Sequence, residues 1–374
     1  MNDDKRIVLT KKAALEVLKH NMHGDFFDLP RTAGWGYPEP YTRDLLINSF
    51  GIIASRDLHL IKSLKKVLVT LAKNQSPLGQ IPSLVHLSSE KGATDTTPLF
   101  LIALKLYRKF EGIEDFLDEA ANRALTWLRF QSPDENGLVS QLPTTDWRDE
   151  QWVLGYGLYV NVLNYICLRL YNPEESVQVR KMFNQIDGGF LLPDKPYYAT
   201  WFYKVYKNKR FDLLGNSLAI LAGLPDKNRA KEIILWIEKE CQNLRNNSVL
   251  AFPLPPNFFP YIQPQDPDWI ERYADYNPPG EYHNGGIWPF VCGFYIAALV
   301  AAGKLKLAEK HLFSLSEILK LAVKKDVSFG FNEWFKAQNG KPMGNDWQSW
   351  SAAMFLYAVT CVEKKKVHFF EDFL

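Results

Sequence analysis

Two acidic residues in this chain sit in surroundings unlike those of ordinary surface acids. Asp95 lies in GATDTTP, where Ala93, Thr94, Thr96, Thr97 and Pro98 carry no charge and an apolar run follows. Glu333 lies in FNEWF, between Phe331, Asn332, Trp334 and Phe335, with no local cation to pair it. An uncharged setting disfavours the ionised carboxylate and raises its pKa. One carboxyl held protonated and another held ionised is the equipment for breaking a glycosidic bond. The first donates to the leaving oxygen, and the second activates a water or attacks carbon. Asp95 suits the acid and Glu333 the base.

The neighbours suit a ligand with many hydroxyls. Acids, amides and guanidinium groups bond hydroxyls, and indoles cover the C–H faces of a sugar ring. Such residues gather in six places: Trp35, Tyr37, Arg43 and Asp44; Asp95; Trp147, Arg148 and Asp149; Arg210 and Asp212; Tyr282, His283, Asn284 and Trp288; and Glu333, Trp347 and Gln348. These are the candidate site residues. Capping of helix starts competes as an explanation for the acids, Asp212 above all. It does not account for the Trp, Arg and His beside them.

Each cluster precedes or opens an apolar run, so the elements that position them are helices. Periodicity predicts helices at 7–20, 42–55, 57–73, 95–110, 114–130, 149–171, 173–186, 211–223, 226–245, 287–303, 304–324 and 346–363, with almost no strand pattern. They alternate in kind. DKNRAKEIILWIEKECQ has one apolar stripe and one charged face, whereas WVLGYGLYVNVLNYICL and WSAAMFLYAVTCV are apolar nearly all round and must be enclosed. A recurring pair of one wet and one dry helix predicts an all-α fold, a closed (α/α)6 barrel with six outer and six inner helices. No Pro/Gly/Ser-rich linker divides residues 1–374, which read as a single catalytic domain. If the inner helices run parallel, the six clusters meet at one mouth.

Composition narrows the function classes. Lys and Arg total 44 against 42 Asp and Glu, a balance without the basic footprint of a nucleic-acid binder. The uncharged stretch Gly285–Gly303 reads as a buried helix rather than a membrane span, because charged helices flank it. The N-terminus lacks a signal-peptide pattern, and the four cysteines (Cys167, Cys241, Cys292, Cys361) form no CxxC pair, so a reduced cytoplasmic protein is expected. Metal-ligand spacings and Gly-rich phosphate loops are absent, so neither a metal nor a cofactor is expected. No pattern specifies an oligomeric state. The expected partner is a small carbohydrate. The 11 Trp sharpen this, because Trp35, Trp147, Trp152, Trp288, Trp334, Trp347 and Trp350 all fall at inner-helix starts and should line one mouth.

The same segments resemble those of the alkaline/neutral invertase family of glycoside hydrolases. More distantly they resemble (α/α)6 glucosidases of the processing α-glucosidase and debranching type. YTRDLLINSFGII resembles the family's Arg-Asp segment, GQIPS its Gly-x-x-Pro loop and RFDLLGNSLAILAGL its Arg-Phe-x-x-Leu-Gly-Asn segment. TDWRDEQWVLGYGLYVNVLNYICLRL resembles its Asp-Arg-Arg and Gly-Tyr segment, and YHNGGIWP is the most specific match. TDTTPLFLIALKLYRKFEG resembles the helix of the general acid and FNEWF the segment of the general base, which implies those roles for Asp95 and Glu333. The stretch GKPMGNDWQSWSAA is shorter than the invertase counterpart and lacks its Arg, a sucrose-side contact. The resemblance therefore implies an inverting hydrolase of an α-glucoside or small oligosaccharide, with a sucrose-cleaving invertase as the alternative. A sugar epimerase or isomerase, working through His283 or His86, and a non-catalytic sugar-binding protein are the rival classes.

Overall fold

The computed structural model describes the backbone of residues 3–324 and 326–374. The inner set is α2 (Thr42–Ser55), α4 (Thr96–Glu111), α6 (Leu158–Tyr171), α8 (Leu213–Leu221), α11 (Pro289–Ala301) and α13 (Ser349–Lys364). The outer set is α1 (Asp3–Asn21), α3 (Leu58–Asn74), α5 (Asp118–Phe130), α7 (Pro173–Phe183), α9 (Lys227–Asn246) and α12 (Leu305–Ile318), and a single turn, α10 (Tyr273–Tyr276), lies in a loop. Each inner helix packs on the next in chain order, and α13 packs back on α2, so the inner ring closes. This is the all-α (α/α)6 barrel expected from the alternation of wet and dry helices.

Local chemistry sets these elements. In α3 the buried side chains Leu60, Ile61, Leu64, Val67, Leu68 and Leu71 form one stripe, and Asp57 caps the helix by accepting from the His59 and Leu60 amides. Asp226 does the same for α9. In α11 every residue from Pro289 to Leu299 is buried, and Pro289 sits in the first turn, where a missing N–H costs nothing. The uncharged stretch is thus an enclosed helix. No helix among the described residues is long and apolar enough to cross a membrane. All four cysteines are free and buried.

One expected helix boundary is corrected in a way that matters. The apolar pattern carries the sixth helix back to residue 149, but α6 starts at Leu158. Gly155 takes φ +84°, and its backbone bonds Gln141 in both directions, at 2.8 and 3.1 Å. The next two residues, β1 (Tyr156–Gly157), pair with β2 (Trp201–Tyr203), which pairs in turn with β3 (Tyr206–Asn208). Backbone groups here are satisfied across the chain instead of along a helix. Smaller corrections of the same kind start α5 at Asp118 and end α7 at Phe183 and α12 at Ile318. Two further antiparallel ribbons complete the loops: β4 (Phe211–Asp212) with β5 (Phe258–Phe259), and β6 (Trp334–Phe335) with β7 (Pro342–Met343).

The two ends of the barrel differ. The C-terminal halves of α2, α4 and α13 line a groove of about 730 Å³, beside which Phe370 stacks on Phe50 with centroids 5.8 Å apart. The long loops crowd the other end, around the inner-helix N-termini.

Candidate active site

At that N-terminal end a cavity of about 130 Å³ is lined by Thr32, Tyr37, Tyr41, Arg43, Asp44, Trp147, Asp149, Tyr282, His283, Trp288, Glu333, Gln348 and Trp350. A second chamber of about 260 Å³ adjoins it and shares Tyr41, Arg43 and Asp149. Glu333 and Asp44 border only the first chamber, whereas Asp149 borders both.

Glu333 is held by the ribbon that follows it. β6 pairs with β7 at Trp334–Met343, and Phe335 exchanges backbone bonds with Ile287 of the YHNGGIWP loop, at 2.8 and 2.9 Å. Behind the carboxyl lies Gly344, at φ +71°, where a Cβ atom would come within 2.3 Å of Glu333 Oε2. Only glycine suits both that backbone conformation and that approach. Burial pushes the Glu333 carboxyl up to about 8, with the Asp44 and Asp149 charges adding to the rise. Burial likewise raises Asp44 to about 7, against the pull of Arg43.

Asp149 sits on the irregular segment before β1, and that segment is fastened on both sides. Arg148 lies between two carboxylates, Asp146 at 2.7 Å and Asp212 at 3.0 Å, and all three side chains are 1% exposed. Burial works against the Asp146 charge, but Arg148 more than offsets it and holds that carboxyl below the usual range. On the other side Arg272 grips Glu150 through two bonds of 2.5 Å, Asn277 donates to the Glu150 carbonyl, and the Trp152 amide donates to Tyr273 at 2.7 Å. Solvent reaches 59% of the Asp149 side chain. The walls around it still disfavour its charge, so its pKa rises against the attraction of Arg43.

His283 is fully buried, and burial keeps it neutral, well below its ordinary pKa. Its Nδ1 accepts from the Glu150 amide at 3.4 Å, so the proton belongs on Nε2, which lies 3.8 Å from Asp149 Oδ1. The ring stacks on Trp288 with centroids 5.3 Å apart, and Trp147 meets both edge-on. Among the lining residues, Trp147 Nε1, Trp350 Nε1, His283 Nε2 and Gln348 Oε1 are buried without a protein partner. Buried polar atoms are normally satisfied. Several left open around one cavity mark a place for a polar ligand.

The structure sorts the expected residues. Tyr37, Arg43, Asp44, Trp147, Asp149, Tyr282, His283, Trp288, Glu333 and Gln348 come together around the cavity. The others lie outside its lining. Asp95 is 0% exposed, and its Oδ2 receives Arg43 Nε at 2.5 Å, so it serves as the counter-charge beneath Arg43. Arg148 and Asp212 belong to the buried ion triad, and Asp212 also caps α8 by accepting from the Gly215 amide. Arg210 clamps the following loop through Asp266, Asp268 and the carbonyls of Pro260 and Tyr261. Asn284 bonds both backbone groups of Ile262. Trp35 and Trp347 pack on each other and on His20. Hence Trp147, Trp288 and Trp350 line the cavity, while Trp334 stacks behind Trp288 and Trp152 is half exposed outside the lining.

Three lining residues stand outside the six candidate clusters, and of these Trp350 was expected at the mouth as an indole. Tyr41 and Trp350 stand at inner-helix starts, and their position was the available signal. Thr32 carries no sequence signal and arrives through backbone bonds from its amide to Glu39 and from the Ser349 amide to its carbonyl. No group of three or more His, Cys, Asp or Glu among the described residues is arranged to hold a metal ion.

Comparison with known proteins supports the resemblance read from the sequence. Residues 189–365 match the model of the family described as alkaline and neutral invertase. RFDLLGN, YHNGGIWP and FNEWF fall inside that stretch, while the Asp95 and Asp149 segments fall outside it. The chain is 27% identical over 205 residues to alkaline/neutral invertase C, mitochondrial, of Arabidopsis thaliana, covering 52% of this chain and 29% of that one. It is 25% identical over 150 residues to neutral/alkaline invertase 1, mitochondrial, of Oryza sativa subsp. japonica, covering 39% of this chain and 22% of that one. The matched stretches thus span less than a third of those relatives. Among solved structures, a GH63 mannosylglycerate hydrolase from Thermus thermophilus in complex with glucose superposes with a TM-score of 0.67 at 16% identity, covering 93% of this chain and 99% of that one. A glycosidase variant in complex with glucose superposes at 0.64 with 12% identity, covering 96% and 97%. At these identities the structural likeness establishes the fold.

Proposed function

We propose that this chain is a glycoside hydrolase that cleaves an α-glucoside or small oligosaccharide with inversion, with Asp149 as general acid and Glu333 as general base. The observation that carries this reading is the division of the two chambers. A general acid must reach the leaving oxygen, which lies between the sugar being released and its leaving group. Asp149 borders both chambers, and Glu333 borders only one. Asp95, the acid expected from the sequence, is enclosed, bonds Arg43 through Oδ2 and lines neither chamber. The acid role therefore moves to Asp149.

The glycone occupies the smaller cavity, whose aromatic walls and open polar atoms suit one sugar ring. Asp149 gives its proton to the glycosidic oxygen as the bond to the anomeric carbon breaks. Glu333 takes a proton from a water that attacks that carbon from the opposite face. Glu333 ends protonated and Asp149 ionised, and exchange with solvent restores both. Inversion requires the two carboxyls to stand roughly 6.5–9.5 Å apart, with the water between them. Asp44, Asp149 and Glu333 repel one another, so the cluster retains protons at neutral pH, and the reacting form is the one with a proton on Asp149. Arg43 anchors the cluster and Asp44 bonds sugar hydroxyls.

A panel of α-glucosides including sucrose, with the product anomer read by NMR, tests the proposal. Release of β-glucose from any member supports it. Retention of configuration removes the water-activating role of Glu333, and no turnover of any member removes the reading. The family match over 189–365 makes sucrose the first rival substrate to try.

A further inference from the structure

Asp346 lies just ahead of α13, where an acid ordinarily caps the helix. Here Gln348 holds the cap position without a side-chain cap bond, and the Asp346 carboxylate bonds other segments. Its Oδ1 accepts from the Val323 amide at 2.9 Å and from Asn332 Nδ2 at 2.6 Å. Its Oδ2 accepts from the Lys324 amide at 2.8 Å. Asp346 is 1% exposed and Asn332 0%, so both depend on these bonds for solvation. Hydrogen bonds to a buried carboxylate are among the strong ones.

Both sides of Asp346 bear on Glu333. Asn332 directly precedes Glu333, and its carbonyl accepts from Ser351 Oγ at 2.8 Å. The residues before it are tied to those after Asp346. The Trp347 amide donates to the Gly330 carbonyl at 2.6 Å, and the Gln348 amide to the Phe331 carbonyl at 3.0 Å. Phe331 itself takes φ +42°, a conformation that an aromatic residue keeps only when its surroundings hold it there. On the other side of Asp346, the Asn345 amide favours the ionised form of the Glu333 carboxyl, and Gly344 lies behind Oε2. One carboxylate thus fastens the backbone that carries Glu333 and the turn that backs its carboxyl. Neither Asp346 nor Asn332 lines the cavity, so neither meets the sugar there.

We infer that Asp346 is a positioning residue for hydrolysis. Through Asn332 and the turn at 344–345 it fixes the Glu333 carboxyl where it takes a proton from the attacking water. This rests on the hydrolase reading above and deepens its account of the base. A base displaced by about 1 Å loses about 10²-fold in rate, whereas sugar binding depends on the cavity walls. The signature is therefore a loss in kcat without a change in KM.

The test is steady-state kinetics of variants on the best-cleaved member of the α-glucoside panel. Asp346→Asn sets an NH₂ group against at least one of the three donors, and kcat should fall about 10²-fold with KM within about twofold. Asn332→Ala removes one of the three bonds and should lower kcat about tenfold. The double variant should be no slower than Asp346→Asn, because both act along one route. The same losses should appear on an aryl glucoside with an acidic phenol, whose leaving group needs no proton but whose water still needs a base. Asp226→Ala, which removes the cap of the outer helix α9, is the stability control and should lower Tm without changing kcat. An unchanged kcat in Asp346→Asn, a loss in KM instead, single effects that multiply in the double variant, or an equal loss in Asp226→Ala overturns the inference and leaves the hydrolase reading intact. If Asp346→Asn does not fold, an unchanged kcat in Asn332→Ala does the same. If the unaltered enzyme cleaves no glucoside, the hydrolase reading falls and the crystal structure of Asn332→Ala decides. A Glu333 carboxyl displaced by about 1 Å sustains the positioning role, and an unmoved one overturns it.

Discussion

Asparagine substitution at Asp149 and at Asp95 separates the two candidate acids, because their surroundings predict opposite costs. Asp95 is enclosed, and its carboxylate meets Arg43 at 2.5 Å. Removing that charge leaves a largely buried guanidinium without its counter-ion, at a cost of about 3–5 kcal/mol. At about 2.1 cal/mol/K per residue, 374 residues have an unfolding entropy of roughly 0.8 kcal/mol/K. Asp95→Asn should therefore lower Tm by about 4–6 °C. Asp149 is 59% exposed, and the histidine 3.8 Å from it is neutral. Asp149→Asn should change stability by no more than about 0.5 kcal/mol, which is under 1 °C. Its kcat on an alkyl glucoside should fall about 10²- to 10⁴-fold, the usual contribution of a general acid. Scanning calorimetry and steady-state kinetics measure the two effects. An aryl glucoside with a strongly acidic phenol leaves without protonation, so Asp149→Asn should keep most of its activity on that substrate while Glu333→Gln loses activity on both. The reasoning is refuted if Asp95→Asn melts normally, loses alkyl-glucoside turnover and is rescued by the activated leaving group.

Other expectations follow from the same contacts. kcat/KM should fall above pH about 8, where the Asp44–Asp149–Glu333 cluster gives up its last shared proton. Asp44→Asn removes a repelling charge, so that limb should move to lower pH in the pH–rate profile, and an unmoved limb would argue against the coupling. Gly344→Ala sets a methyl against Glu333 Oε2 and forces a left-handed backbone on alanine. It should cost about 1–2 kcal/mol in chemical denaturation and lower kcat by displacing the base, whereas an unchanged kcat would show that Glu333 is not held there. Arg148→Met strands Asp146 and Asp212 without their shared cation and should destabilise by about 3–5 kcal/mol, read as a lowered denaturation midpoint.

Much of the fold was legible because it rests on local patterns. Alternation of one-striped and all-round apolar helices specified the two rings, and α2, for instance, spans the residues its pattern predicts. The error at 149–157 arose where an apolar run met Gly155 and Gly157, whose backbone partners lie on distant segments, Gln141 and Trp201. Periodicity registers burial, and a buried loop looks apolar too. That error hid the difference between Asp149, which projects from a loop into the cavity, and Asp95, which sits under the first turn of α4.

The sequence by itself determined that carboxyls, indoles and amides stand at the starts of enclosed helices, since this follows from residue order and helical period alone. It also marked Glu333, because an acid among aromatic neighbours is conspicuous without any contact map. Which acids face the cavity was decided only by the tertiary structure. Ion pairs such as Arg43–Asp95 and Asp146–Arg148–Asp212 join segments 52 and 64 residues apart. A carboxylate paired across such a distance is identical in sequence to one left free for chemistry. Only the packing of α2 on α4 and of α6 on α8 shows which charge is neutralised and which is not.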